Sequence, residues 1–222
     1  LQNSRNFQST MSYTIYRRLV NVIFPARCIF CRHGIEPDSD LLVCPKCEKL
    51  YSGEAFQSFE MPDGLSACRF ALRYQGNVRS AILRYKFGAR PQYAKSFAHF
   101  MLPLARAYTD FDYVSWVPVS PLRYMRRTYN QAKLLTVALS KSIGIPRLGT
   151  LMKLRSNKAQ SKLSFEERRQ NVRGMYSVRN KARVNGARIL LKKTDFDKNF
   201  IYTKVVPRQT LFMNTCSLGE CH

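Results

Sequence analysis

Four cysteines carry the clearest chemical signal in the chain. Cys28 and Cys31 form one Cys-x-x-Cys pair, and Cys44 and Cys47 form a second. Each pair can close a tight knuckle that points two thiolates at a common point, and two knuckles complete a tetrahedral S₄ site suited to Zn²⁺. Gly34 and Pro45 beside the pairs suit the turns this requires. A single pair would leave a thioredoxin-like redox site open, whereas two at this spacing favour a structural zinc ribbon. A fully ligated Cys₄ site keeps no position for water, so its expected role is folding energy rather than catalysis. Cys68 lies outside the pattern and reads as a small buried side chain. Cys216, Cys221 and His222 form a Cys-rich tail that is a weak candidate for a second metal site.

Composition bounds what the rest can be. The seven cysteines are odd in number and no export signal is visible, which argues against a disulfide framework. No apolar run approaches the roughly 18–20 residues needed to span a bilayer, so the expected location is the cytoplasm. Thirty-seven Lys and Arg stand against 14 Asp and Glu, a formal charge of +23. That excess points to a polyanionic partner: nucleic acid, a phosphorylated ligand or an anionic membrane surface. Residues 1–10 are polar and featureless, and Met11 reads as the natural start.

The elements that would position these groups follow from periodicity. Apolar residues at helical spacing predict helices over 11–24, 77–87 (ended by Gly88), 93–108 and 130–143 (closed by Gly144 and Pro146). Ser164 and Glu167 predict a capping box opening a helix over 164–170. Strand-like runs occur at 41–43, 65–74, 113–119, 150–154, 175–178 and 187–191, with a turn at Asp63-Gly64. The loop over 119–129, at the carboxyl end of a predicted strand, carries Arg123, Arg126 and Arg127. Ligands of open α/β sheets bind at that edge, where arginines and helix N-terminal amides can hold phosphate. Strands alternating with helices indicate an α/β architecture with a mostly parallel sheet.

The order of motifs resembles the ComF family of phosphoribosyltransferase-like competence proteins. The resemblance rests on the cysteine ribbon, Trp116-Val117-Pro118-Val119, Arg127-Thr128-Tyr129-Asn130-Gln131-Ala132, Gln160, Leu163-Ser164 and Glu167-Arg168-Arg169 with Asn171 and Gly174. It covers roughly 22–191, with Thr128 standing where the family usually has glycine. It implies a type I phosphoribosyltransferase fold with the zinc ribbon as a hood, and a role in natural transformation and DNA uptake, with competence proteins as partners. It also implies a phosphate site including Arg123, Arg126, Arg127, Asn130, Gln131 and Thr203, with Mg²⁺ and phosphoribosyl diphosphate as the family's ligands. The expected organisation is a tail and helix over 1–24, the ribbon over 25–62, the phosphoribosyltransferase-like domain over 63–191 and a divergent tail over 192–222.

That tail departs from the family's motif. The pattern calls for two adjacent acids followed by Thr-Thr-Gly-x-Thr, the acids holding ribose hydroxyls and Mg²⁺. Here Asp195 and Asp197 are split and displaced, leaving them weak catalytic candidates, and only Ile201-Tyr202-Thr203 matches the centre. The enzymatic expectation is therefore incomplete. The alternative is a binding module for single-stranded DNA or another protein, with Phe70, Tyr74, Tyr85 and Phe87 among arginines as candidate stacking residues. A one-base shift within a permitted coding of Lys204–Gln209 spells Gly-Ser-Ala-Thr-Ala, which restores the missing Gly and Thr. Sequencing the gene through codons 185–222 is expected to show this shifted motif. An intact frame without it, shared by close relatives, would refute the shift.

Overall fold

The computed structural model describes residues 25–36, 38–52, 67–107, 110–155, 164, 167, 171, 174–193 and 199–206, and the side chains of all of these except 67–70, 193 and 199–206. The helix expected over 11–24, the turn at Asp63-Gly64, the cysteines and histidine near the C-terminus, and Asp195 and Asp197 lie outside the described residues.

Helix α1 (Pro45–Tyr51) follows the second cysteine pair, with Cys44 at its N-cap and Pro45 at N1, where the missing N–H costs nothing. Strand β1 (Ala67–Arg73) leads into α2 (Gly76–Phe87), and α3 (Tyr93–Arg106) packs behind it. Gly88 closes α2 because nothing larger fits: a Cβ there would lie 2.8 Å from the Arg84 carbonyl oxygen. Strand β2 (Tyr113–Trp116) precedes two helices, α4 (Pro121–Arg127) and α5 (Gln131–Ile143). Beyond them come β3 (Leu151–Lys153), β4 (Tyr176–Val178), the short α6 (Lys181–Val184), β5 (Ile189–Lys193) and β6 (Asn199–Val206).

The main sheet has the order β1-β6-β5-β2. β2 and β5 are parallel, extended by a parallel bridge from Val114 to Arg147, whereas β6 runs antiparallel to both β1 and β5. Parallel pairing is thus confined to one side, narrower than the mostly parallel sheet expected. The difference comes from β6, which lies in the stretch expected to be a divergent tail and inserts between β5 and β1. β3 and β4 form a separate antiparallel pair.

Two further expectations are corrected. Residues 41–43 are bends and coil rather than a strand, although the Ile29 N–H donates to the Leu42 carbonyl at 2.8 Å. The stretch over 119–129 is mostly helix: Ser120 caps α4 by accepting from the Arg123 N–H, and Pro121 presets its first turn. The capping box forms as expected, with the Ser164 N–H donating to Glu167 Oε2 at 2.7 Å and the Glu167 N–H to Ser164 Oγ at 3.4 Å.

The cysteine segment is not a separate lobe. Cys28, Ile29, Phe30, Val43, Cys44 and Cys47 share one buried cluster with residues of β1, α2, α3, β2, α5 and β5. Phe30 meets Phe100 edge-on at 5.4 Å and Phe97 at 6.2 Å, and Tyr51 at 4.5 Å. Such pairs add to the burial of each ring. Phe30→Ala is therefore expected to lower unfolding free energy by about 3–5 kcal/mol, read by chemical denaturation. A loss below about 1 kcal/mol would mean that the segment docks by other means.

Candidate metal centre and basic edge

The first knuckle is a short hairpin. Arg27 and Gly34 bridge antiparallel, the Cys28 N–H donates to the His33 carbonyl at 2.8 Å, and the Arg32 N–H returns to the Cys28 carbonyl at 3.1 Å. The second knuckle is the start of α1, where the Glu48 N–H donates to the Cys44 carbonyl at 2.9 Å. The four thiol sulfurs all lie within 4.8 Å of one another, and those of Cys31 and Cys44 are 3.6 Å apart. Tetrahedral Zn–S bonds would set S···S near ~3.8 Å. The donor set and its spacing therefore fit a thiophilic metal ion.

Electrostatics agree with this. Burial, joined by the neighbouring thiols, pushes Cys47 far above the ordinary thiol range. Cys31 is also raised, chiefly by burial. At Cys28 burial acts upward too, but is outweighed by the backbone N–H groups of Cys44, Cys31 and Phe30, and the net shift is downward. Four crowded sulfurs cannot all ionise without a cation among them, and a bound metal ion would supply it.

The surrounding helices hold both knuckles. Arg84 of α2 donates through Nη2 to the carbonyls of Ile29, at 2.6 Å, and Phe30, at 3.5 Å. Arg32 donates to Tyr93 Oη at 2.9 Å, and Ser96 Oγ of α3 accepts from the Leu42 N–H at 2.9 Å. His99 Nε2 and Glu48 Oε1 lie 2.9 Å apart, joining α3 to α1 beside a cavity of about 360 Å³ that also touches Tyr51, Phe100 and Arg106. Sequence reading singled out neither Arg84 nor the His99–Glu48 pair, because their partners lie far away in the chain.

The three candidate arginines stand at the carboxyl edge of the parallel strands. α4 follows β2 there, bearing Arg123, Arg126 and Arg127 with no side chain buried. One register row runs Trp116, Lys192, Thr203, Arg69 across the sheet. Thr203 is thus level with the end of β2, in a strand rather than in the phosphate-cradling loop expected of it. The expected Asn130 and Gln131 turn inward. Asn130 caps α5 by accepting from the Lys133 N–H at 3.1 Å, and donates to the Val117 carbonyl at 3.4 Å. Gln131 is fully buried, donates to the Lys86 carbonyl at 3.3 Å and accepts from Arg127 Nη1 at 3.3 Å.

Around these amides lies an aromatic lock. Tyr85 Oη donates to the Gln131 carbonyl at 2.9 Å, and Tyr129 Oη donates to the Tyr85 carbonyl. Burial raises both phenols above their ordinary range, keeping them as neutral donors. Among the expected stacking residues Tyr85 is core and Tyr74 is half-buried. Phe87 is 57% exposed and lies under the Arg127 guanidinium at 5.0 Å, and Tyr124, which sequence reading passed over, is 51% exposed. The side chain of Phe70 lies outside the described residues.

These features define a mixed α/β protein with a four-cysteine group able to hold a metal ion and an arginine-bearing helix at the carboxyl edge of its parallel strands. Over 63 residues the chain is 40% identical to Competence protein F of Haemophilus influenzae, a stretch that covers 28% of this chain and 28% of that protein's own length. No family model and no solved structure matches the chain.

Thr128 explains one local oddity. It ends α4 with φ +64, a left-handed conformation that favours glycine, and its N–H closes the helix on the Tyr124 carbonyl at 2.7 Å. Thr128→Gly is expected to stabilise the protein by about 0.5–1 kcal/mol, the relief of a β-branched left-handed residue exceeding glycine's extra unfolded-state entropy. Thermal unfolding would reveal it, and a destabilised variant would refute the strain.

Proposed function

We propose that the chain is a ComF-like protein of natural competence and DNA uptake that binds a phosphorylated ligand at the carboxyl edge of its sheet, on a structural zinc site. Its support is the identity with Competence protein F, together with three arginines standing on the helix that leaves β2. In this reading Cys28, Cys31, Cys44 and Cys47 hold one Zn²⁺, whose chemistry is structural because the four thiolates close its coordination. Arg123 and Arg127 offer guanidinium forks to phosphate oxygens. Gln131 fixes the Arg127 head at one end, and Asn130 sets the start of α5 beside it. Thr203, level with that edge, is the remaining contact the reading assigns.

The same reading keeps the phosphoribosyltransferase-like organisation of 63–191, with the knuckles over 25–62, the tail and helix over 1–24 and a divergent stretch over 192–222, in a cytoplasmic protein. Asp195 and Asp197 are given no Mg²⁺ or ribose role. The chain is thus a binder, and no turnover of phosphoribosyl diphosphate is expected.

A second reading, a single-stranded DNA module without catalysis, is favoured by exposed Phe87 and Tyr124 among the same arginines. Aromatic faces and guanidinium groups together suit bases and phosphates.

Elemental analysis of the purified chain is expected to find one zinc per chain, released as acid protonates the thiolates and lost in Cys28→Ser. Titrations with phosphoribosyl diphosphate and with an oligothymidylate separate the two ligand readings. The first expects the sugar phosphate to bind, with Arg123→Gln/Arg127→Gln weakening it at least about tenfold. Tight, salt-dependent oligonucleotide binding that falls on Tyr124→Ala, without sugar-phosphate binding, would replace it with the second.

A further inference from the structure

Helix α4 presents two apolar side chains that neither proposed ligand uses. Leu122 is 58% exposed and Met125 is 69% exposed, three positions apart on one side of the helix, with the exposed Arg126 beside them. Among the described residues Arg126 makes no hydrogen bond or ion pair. From Tyr113 to Phe165 the sequence contains no Asp or Glu, while Arg123, Arg126, Arg127, Lys133, Lys141 and Arg147 all fall within it. Two large aliphatic side chains are thus presented to solvent in the middle of an acid-free, cationic stretch.

We propose that this side of α4 docks the protein on an anionic membrane surface, Leu122 and Met125 entering the acyl boundary while Arg126 and its basic neighbours meet the headgroups. Charge decides the occupant. A second copy of a chain carrying +23 would bring like charge against like. Nucleic acid would use the arginines but gains little from Leu122 and Met125, which have neither a stacking face nor a polar group. Anionic lipid is the polyanion that rewards both, by the pairing of apolar and basic residues seen in interfacial helices. No helix among the described residues is long and apolar enough to cross a membrane, and the contact proposed is a peripheral one. This proposal is independent of the ligand bound on the Arg123 and Arg127 side.

Sedimentation of the full chain with vesicles tests it. Vesicles of phosphatidylcholine with about one-third phosphatidylglycerol are expected to bind the protein, and vesicles of phosphatidylcholine alone to leave it in solution. Leu122→Ser/Met125→Ser, which keeps every charge, is expected to weaken binding at least about tenfold. Leu50→Ser, a similar change at an exposed residue of α1, should leave it unaltered. Circular dichroism checks that each variant is folded. Vesicle binding that does not distinguish the double variant from Leu50→Ser would overturn the proposal, reducing the interaction to diffuse charge. So would failure to sediment with the anionic vesicles. A parallel loss of oligothymidylate affinity in the double variant would also overturn it, assigning the surface to nucleic acid.

Discussion

The guanidinium of Arg84 ties the first cysteine knuckle to the helices behind it. It lies in α2, yet its Nη2 donates to the carbonyls of Ile29 and Phe30, the turn between the first two cysteines. Hydrogen bonds from a charged donor are stronger than neutral ones, and here one head ties a short hairpin with almost no interior of its own to a helix that has one. The three residues that follow Arg84 then meet the start of α5 and the arginine-bearing helix α4. Tyr85 donates to the Gln131 carbonyl, the Lys86 carbonyl accepts from the Gln131 amide, and Phe87 lies under Arg127. One helical turn therefore faces the thiol cluster on one side and the basic edge on the other.

The thiol cluster contributes order in a different way. Four sulfurs gathered within 4.8 Å repel one another's charge unless a cation joins them. The packing of Phe30 against Phe97 and Phe100, and of α1 against α3 through Glu48 and His99, brings the knuckles together. Metal binding in such a site is folding free energy, here added to a core that the knuckles already share with the sheet.

Local signals in the sequence were legible because local rules govern them. The Cys-x-x-Cys pairs, the helices ended by Gly88 and Gly144, the capping box at Ser164 and the buried face of Phe97, Met101 and Leu104 all follow from spacing and turn chemistry. Pairing across the chain was not legible. β6 lies in the stretch expected to be a divergent tail, and its insertion between β5 and β1 depends on β1, a strand partner far away in sequence. α4 was hidden by Pro118 and Pro121, which read as loop residues, although Pro at N1 begins a helix as readily as it ends one. Asn130 and Gln131 entered the expected phosphate site through the family resemblance. Their amides also satisfy backbone groups of Lys133, Val117 and Lys86, a demand visible only once the neighbouring elements are packed. Thr128 shows the converse, since its departure from a usual glycine coincides with a positive φ.

The order β1-β6-β5-β2 also sets a timetable for synthesis. Ala67 and Val205 are register partners, so β1 leaves the ribosome long before the strand that will cover its edge exists. During that interval α2 and α3 can form from local contacts, while the hydrogen-bonding edge of β1 waits. Closing such distant pairs is slow, and an uncovered edge is exposed to pairing with other chains in the meantime. A helix pair that docks early against β1 and the knuckles would shield one face of that strand, leaving a nascent chain half assembled around its cysteines before its sheet is complete.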